Sequence, residues 1–238
     1  MPSPVETEPQ FDAIASSGYV GKYPGYADYV QHGLPVTEVD RLFDWLSSYV
    51  DALQTRWGAP WIDVYLPSPV WRFCHLPAAG DSAIERRLQL GAMMPSVDAK
   101  GRYFPLLVCV ELVGIAPPIT TLRRAQALLD ELEERLVRCL REPVMPPAEL
   151  REALLAAFPM LANSSGYDAP TRVESDAHSL AVLDLALANG AGACSVWQVK
   201  HQADGCEALA AFACWPTPEQ FAELLHPPAQ AAEQSDAV

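Results

Sequence analysis

No apolar run in the 238-residue chain approaches the roughly 20 residues that a membrane-spanning helix needs. Its opening residues, MPSPVETEPQFDA, lack the basic start and apolar centre of a secretory signal, so a soluble, cytoplasmic protein is expected. Basic residues are scarce: 16 Lys and Arg face 30 Asp and Glu, a formal net charge of −14. That balance argues against nucleic acid or an anionic membrane as a partner and leaves a basic protein surface open. No CxxC or HxxxH spacing occurs, so Cys194, His201, Cys206 and Cys214 do not read as a zinc site, and neither metal nor cofactor is expected. The six cysteines, with no secretory context, read as small buried hydrophobes in reduced form. Gly21-Lys22 is not a phosphate loop, because Tyr23 follows where Ser or Thr is required. Internal repeats and domain-scale linkers are also missing. One domain over 18–226 is expected, with a flexible lead at 1–17 and a flexible tail at 227–238.

What is present is regular patterning interrupted by proline and glycine. Thr37 to Trp57 predicts a helix, with Thr37 and Asp40 as a capping box. Its stripe is Val39, Leu42, Phe43, Leu46, Val50, Leu53 and Trp57, and Gly58 and Pro60 close it. Thr120 to Leu140 predicts a second helix on Leu122, Ala125, Leu128, Leu129, Leu132, Leu136 and Leu140, and Pro147 to Phe158 a third. Trp61–Leu66 and Val70–Leu76, separated by PSP, read as an antiparallel strand pair, and Arg102–Leu112 as a central strand apolar on both faces. Residues 160–178 read as a loop and 179–189 as a short helix. The chain ends in a hairpin, CSVWQVK to ALAAFACW, and a helix started by Thr217, Pro218 and Gln220. The class is α/β: a single-domain sandwich whose mixed, mainly antiparallel sheet is flanked by helices.

Polar residues in this frame are few enough to weigh singly. Gly91 to Leu106 is a turn in which Pro95 must end any strand, Ser96 and Asp98 can bond nearby amides, and Gly101 tolerates positive φ. Asp98 and Arg102 flank it as a carboxylate–guanidinium pair that locks the turn. Asp28 is expected to anchor the loop at 18–35. In the second strand Trp71, Phe73 and His75 share one parity while Arg72 takes the other and needs a carboxylate, for which Asp98 is the candidate. His75 reads as a hydrogen-bonded structural histidine, since no Ser or Cys nucleophile motif accompanies it. Glu131, Glu133, Glu134 and Arg135 fall on the wet side of the second helix, and the three acids are the candidate docking face.

Four segments, GKYPGYADYV, WIDVYLPSPVWRF, GAMMPSVDAKGRYFPL and SVWQVK…LAAFACWPTPEQFAELL, together resemble the TagF family, over residues 18 to 225. Gly21, Lys22, Pro24, Gly25, Asp28, Trp71, Arg72, Pro95, Ser96, Asp98, Gly101, Arg102 and Trp197 carry the resemblance, as structural or partner-binding positions. Tyr29 stands where the family commonly has Phe, and Gln198 where a second Trp is usual. The resemblance implies a non-enzymatic, cytoplasmic, post-translational repressor of bacterial type VI secretion that binds and sequesters a scaffold protein with a forkhead-associated (FHA) domain. The alternative is an undetected hydrolase or small-ligand-binding protein with a pocket around Asp98, Arg102, Arg72 and His75.

Overall fold

The computed structural model describes residues 13–77, 87–113, 118–142, 147–152, 155–156, 194–200 and 207–225. Seven strands form one sheet: β1 (Ala13–Lys22), β2 (Tyr29–His32), β3 (Trp71–Leu76), β4 (Arg87–Met94), β5 (Leu106–Val113), β6 (Cys194–Lys200) and β7 (Glu207–Phe212). Their order is β2-β1-β5-β4-β3-β6-β7, and every neighbouring pair is antiparallel. Helices α1 (Val36–Trp57), α2 (Trp61–Tyr65) and α5 (Pro218–Ala222) cover one face, and α3 (Pro118–Arg124) and α4 (Gln126–Arg141) cover the other.

Strand alternation divides the core between these layers. In β5, Leu106, Val108, Val110 and Leu112 pack toward α4, whereas Leu107 and Cys109 pack toward α1. A strand clothed on both sides has no polar face, which is why LLVCVELV reads as a continuous apolar run. On the α1 side the core is aromatic: Trp45, Tyr49, Trp71, Phe73, Trp197 and Phe221 pack ring on ring, with Trp197 and Phe221 centroids 4.5 Å apart.

Several elements differ from the sequence reading. Trp61–Tyr65 is a helical turn rather than a strand. Its β-type composition yields to a tertiary contact, because the Tyr65 hydroxyl accepts from the Ser96 amide at 2.8 Å and donates to the Ser96 carbonyl at 3.1 Å. β3 therefore pairs with β4 and β6. Helix α1 starts from Pro35, whose carbonyl accepts from the Glu38 and Val39 amides, so Thr37 lies inside the helix and the capping box does not form. Phe43, one step off the stripe, is 42% exposed. The second long helix is two, breaking at Ala125. β1 begins at Ala13, inside the expected lead, and β5 begins at Leu106 rather than Arg102. Of the third helix, 148–152 and 155–156 are helical, and the rest of its span after Pro147 lies outside the described residues. The loop at 160–178, the helix at 179–189 and the tail lie outside the described residues. The terminal hairpin and the Thr217 capping box form as read.

Cys74, Cys109 and Cys139 are buried, and Cys214 is exposed. Burial pushes the Cys109 and Cys139 thiols up, away from the reactive thiolate. Labelling of the native protein with a thiol reagent, read by peptide mass, is expected to modify Cys214 and to spare these three until denaturant is added. Modification of Cys109 at the rate of Cys214 would contradict the packing.

Candidate functional site

Two of the four sequence segments meet at one end of the sheet. Pro95 ends β4, and the chain turns through Asp98 to Gly101, whose amide bonds the Asp98 carbonyl at 2.9 Å with Gly101 at φ 77°. One Asp98 carboxylate oxygen accepts from the Lys100 and Arg102 amides, both at 2.9 Å. The other accepts from Arg102 Nε at 2.7 Å and Lys22 Nζ at 3.0 Å. Burial alone would raise this carboxyl's pKa, but the hydrogen bonds from the Arg102 amide, Lys22, the Arg102 guanidinium and the Lys100 amide outweigh it. They hold the group well below the ordinary carboxylate range.

The clasp extends through the backbone. Ala99 N–H bonds Tyr26 O at 2.9 Å, Lys22 N–H bonds Pro105 O at 3.3 Å, and Arg102 Nη2 donates to Ala27 O. Tyr23-Pro24-Gly25-Tyr26 closes a turn with Gly25 at φ 85°. Gly21 is required where the two segments cross: it sits at φ 135°, and a Cβ there would lie 2.1 Å from Pro105 O. Asp98, not Asp28, is the anchor. The Asp28 side chain is 88% exposed and stands 3.9 Å from Arg102.

Arg72 finds a different partner from the one expected. Its side chain, 2% exposed, leaves β3 on the α4 side. Nε and Nη2 donate to Glu133 Oε2 at 2.8 and 2.5 Å, Nη2 also reaches Asp130 at 2.7 Å, and Nη1 reaches Gln126 Oε1 at 3.1 Å. Gln126 bonds Gln198 across the same gap at 2.9 Å, so the residue in place of a second Trp joins this network. Asp98 takes no part. Glu133 is correspondingly only 12% exposed, whereas Glu131 and Glu134 lie at the surface in i,i+4 pairs with Arg135 and Arg138. Of the expected docking acids, Glu133 is thus a fold-internal residue.

A third polar group went unread in the sequence. Ser16 of β1, Glu111 of β5, Gln89 of β4, His75 of β3 and Ser195 of β6 are successive cross-strand partners, forming one row across five strands on the α1 face. Ser16 Oγ donates to Glu111 at 2.7 Å, Gln89 donates to Glu38 of α1 at 2.7 Å, and Arg41 donates to Gln89 at 3.1 Å. Trp215 closes over the row, with its ring centroid 5.2 Å from that of His75 and 4.7 Å from the Arg41 guanidinium carbon. The row joins α1 to the sheet. Ser195 Oγ accepts from Trp197 Nε1 at 3.0 Å, and Trp197 is fully buried, so this position adds no aromatic surface.

The four residues of the alternative pocket do not converge. Arg72 and His75 have opposite parity on β3 and lie on opposite faces of the sheet, Arg72 against α4 and His75 against Trp215. Asp98 and Arg102 sit together at the end of the sheet beside Lys22. Among the described residues no helix is long and apolar enough to cross a membrane, and no group of three His, Cys, Asp or Glu side chains is placed to hold a metal ion.

A single α/β domain with a seven-stranded antiparallel sheet between helical layers, with Asp98 and Arg72 spent on internal clasps, is the class that fold and site define. The TagF N-terminal domain family, type VI secretion system-associated, matches residues 18–157, more than half of the chain. The chain belongs to the TagF family. It is similar to the crystal structure of PA0076 from Pseudomonas aeruginosa PAO1, with 27% identity and a TM-score of 0.62 over 94% of this chain and 100% of that one. No curated protein matches. The family assigns the chain a role associated with type VI secretion.

Proposed function

We propose that this protein represses type VI secretion after translation, in the cytoplasm, by binding the FHA-domain scaffold protein and withholding it from assembly. On this reading it is a binding module that does no chemistry on the scaffold. The observation that carries the reading is the use made of its conspicuous charged groups. Asp98 and Arg72 are each committed to neighbouring side chains that hold loop to loop or helix to sheet, and among the described residues no nucleophile–base pair stands beside them. A net charge of −14 favours encounter with a basic surface at rates that fall as salt screens the attraction.

The test is a titration of the purified chain into the purified scaffold, with association rates measured at several salt concentrations and the intact mass of the scaffold followed. Saturable binding, slower association at higher salt and an unchanged scaffold mass are expected. A scaffold covalently altered by catalytic amounts of this chain, with no stable complex, would replace sequestration by the hydrolase alternative.

A further inference from the structure

Large apolar side chains exposed singly are ordinary, but a packed group of them is not. Phe43 of α1 stands in such a group. Its ring stacks on Phe104 with centroids 5.7 Å apart, and Tyr29 of β2 meets both edge-on, at 5.0 and 5.8 Å. Tyr29 and Phe104 are half-buried beneath Phe43, the Tyr29 hydroxyl turned inward, so Phe43 is the exposed ring of the three. Val36, two helical turns before Phe43 on the same face, is 75% exposed. The platform beneath is rigid: Tyr29 and Phe104 belong to the two segments that Asp98, Arg102 and Lys22 clasp together. It also adjoins β2, which among the described strands pairs with β1 alone.

The rim is acidic. Asp40 and Asp44 flank Phe43 on α1, both exposed, and no cation pairs with either among the described residues. Asp28, beside Tyr29, is a third acid nearby, but Arg102 stands 3.9 Å from it, so Asp40 and Asp44 are the unpaired ones. Clustered rings supply the large, rigid contact area on which binding energy concentrates, and unpaired acids around them select the opposite charge. We propose that Tyr29, Phe43, Phe104 and Val36 form the surface on which a partner protein docks, through apolar side chains flanked by Lys or Arg. This deepens the scaffold-binding reading and rests on it for the partner's identity. The acidic face of α4 is the weaker candidate, since Arg135 and Arg138 already neutralise Glu131 and Glu134.

Two probes test it. The purified FHA scaffold is titrated with wild type, Phe43→Ala, the rim double variant Asp40→Lys/Asp44→Lys, and Glu131→Lys/Glu134→Lys as control, each first shown to melt as wild type does. Phe43→Ala and the rim variant are expected to weaken binding on the order of tenfold or more, the rim variant also flattening its salt dependence, while the control binds as wild type. The second probe is a basic–apolar peptide, acetyl-KKLFKK-amide, followed by NMR. Saturable shifts confined to Tyr29, Phe43 and Phe104 are expected, and are lost in the rim variant. Undiminished scaffold binding by both variants overturns the surface and leaves the scaffold reading standing. Peptide shifts at these rings without any scaffold binding overturn the scaffold reading and keep the surface. Absence of shifts at the rings, or a wild-type dimer that Phe43→Ala dissociates, overturns the surface.

Discussion

Arg72→Ala is expected to destabilise the domain by about 3–5 kcal/mol, lowering the melting temperature on the order of 10 °C. The magnitude comes from what is left behind rather than from the bond removed. Glu133, 12% exposed, would face the apolar gap between β3 and α4 with no cation, and Gln126 would lose the guanidinium that fixes its amide. Asp130 is 48% exposed and water can solvate it, so Glu133 accounts for most of the cost. Arg72→Lys should recover only part of the stability, because an ammonium cannot address Glu133 through two nitrogens while also reaching Asp130. The double variant Arg72→Met/Glu133→Leu should regain most of the loss, since a buried ion pair replaced by apolar side chains is often neutral. Thermal melts of the four proteins decide it. An Arg72→Ala midpoint within 2–3 °C of wild type, roughly 1 kcal/mol or less, would mean that the gap is wet and the network adds little.

That network shows where the sequence was legible and where it was not. The parity of WRFCHL placed Arg72 opposite the aromatics correctly, because alternation along a strand is local. Its partner was misassigned to Asp98 because the true ones are 54 to 61 residues away on a helix. A signal did exist. Gln126, Asp130 and Glu133 follow i, i+4, i+7 spacing and run alongside the Leu129, Leu132 and Leu136 stripe, so they had to face the sheet together. The Asp98–Arg102 pair was legible because it spans a single turn. Its third member, Lys22, was not, since only the pairing of β1 with β5 carries it there. The polar row from Ser16 to Ser195 is the clearest loss. Each member lies on a different strand, and they form a set only once four registers are known. Phe43 is the complementary case: the helix was read correctly, and one ring assigned to its buried stripe proved to be on the surface.

Asp98→Ala is expected to cost about 3 kcal/mol at neutral pH, because it leaves Lys22 without its partner and two turn amides without an acceptor. Acid supplies the sharper test. The folded carboxyl ionises well below the 3.8 of a free aspartate, so as pH falls the unfolded chain takes up its proton first. The stability that the ionised group contributes is therefore complete above about pH 5 and drains away as pH drops through 4 toward the depressed folded value. Asp98→Asn keeps one oxygen for the turn amides and cannot ionise. Its deficit relative to wild type should stay constant from pH 8 to about 5 and then shrink steadily in more acidic buffer. Urea melts of both proteins at each pH measure that difference directly. A deficit that stays the same down to pH 2 would show that the carboxylate charge adds nothing. The same substitution removes the Lys22–Asp98 ion pair, one of the ties between the loop that carries Phe104 and the segment that leads to Tyr29. Binding at the aromatic surface should accordingly weaken in Asp98→Asn even at temperatures where the domain remains fully folded.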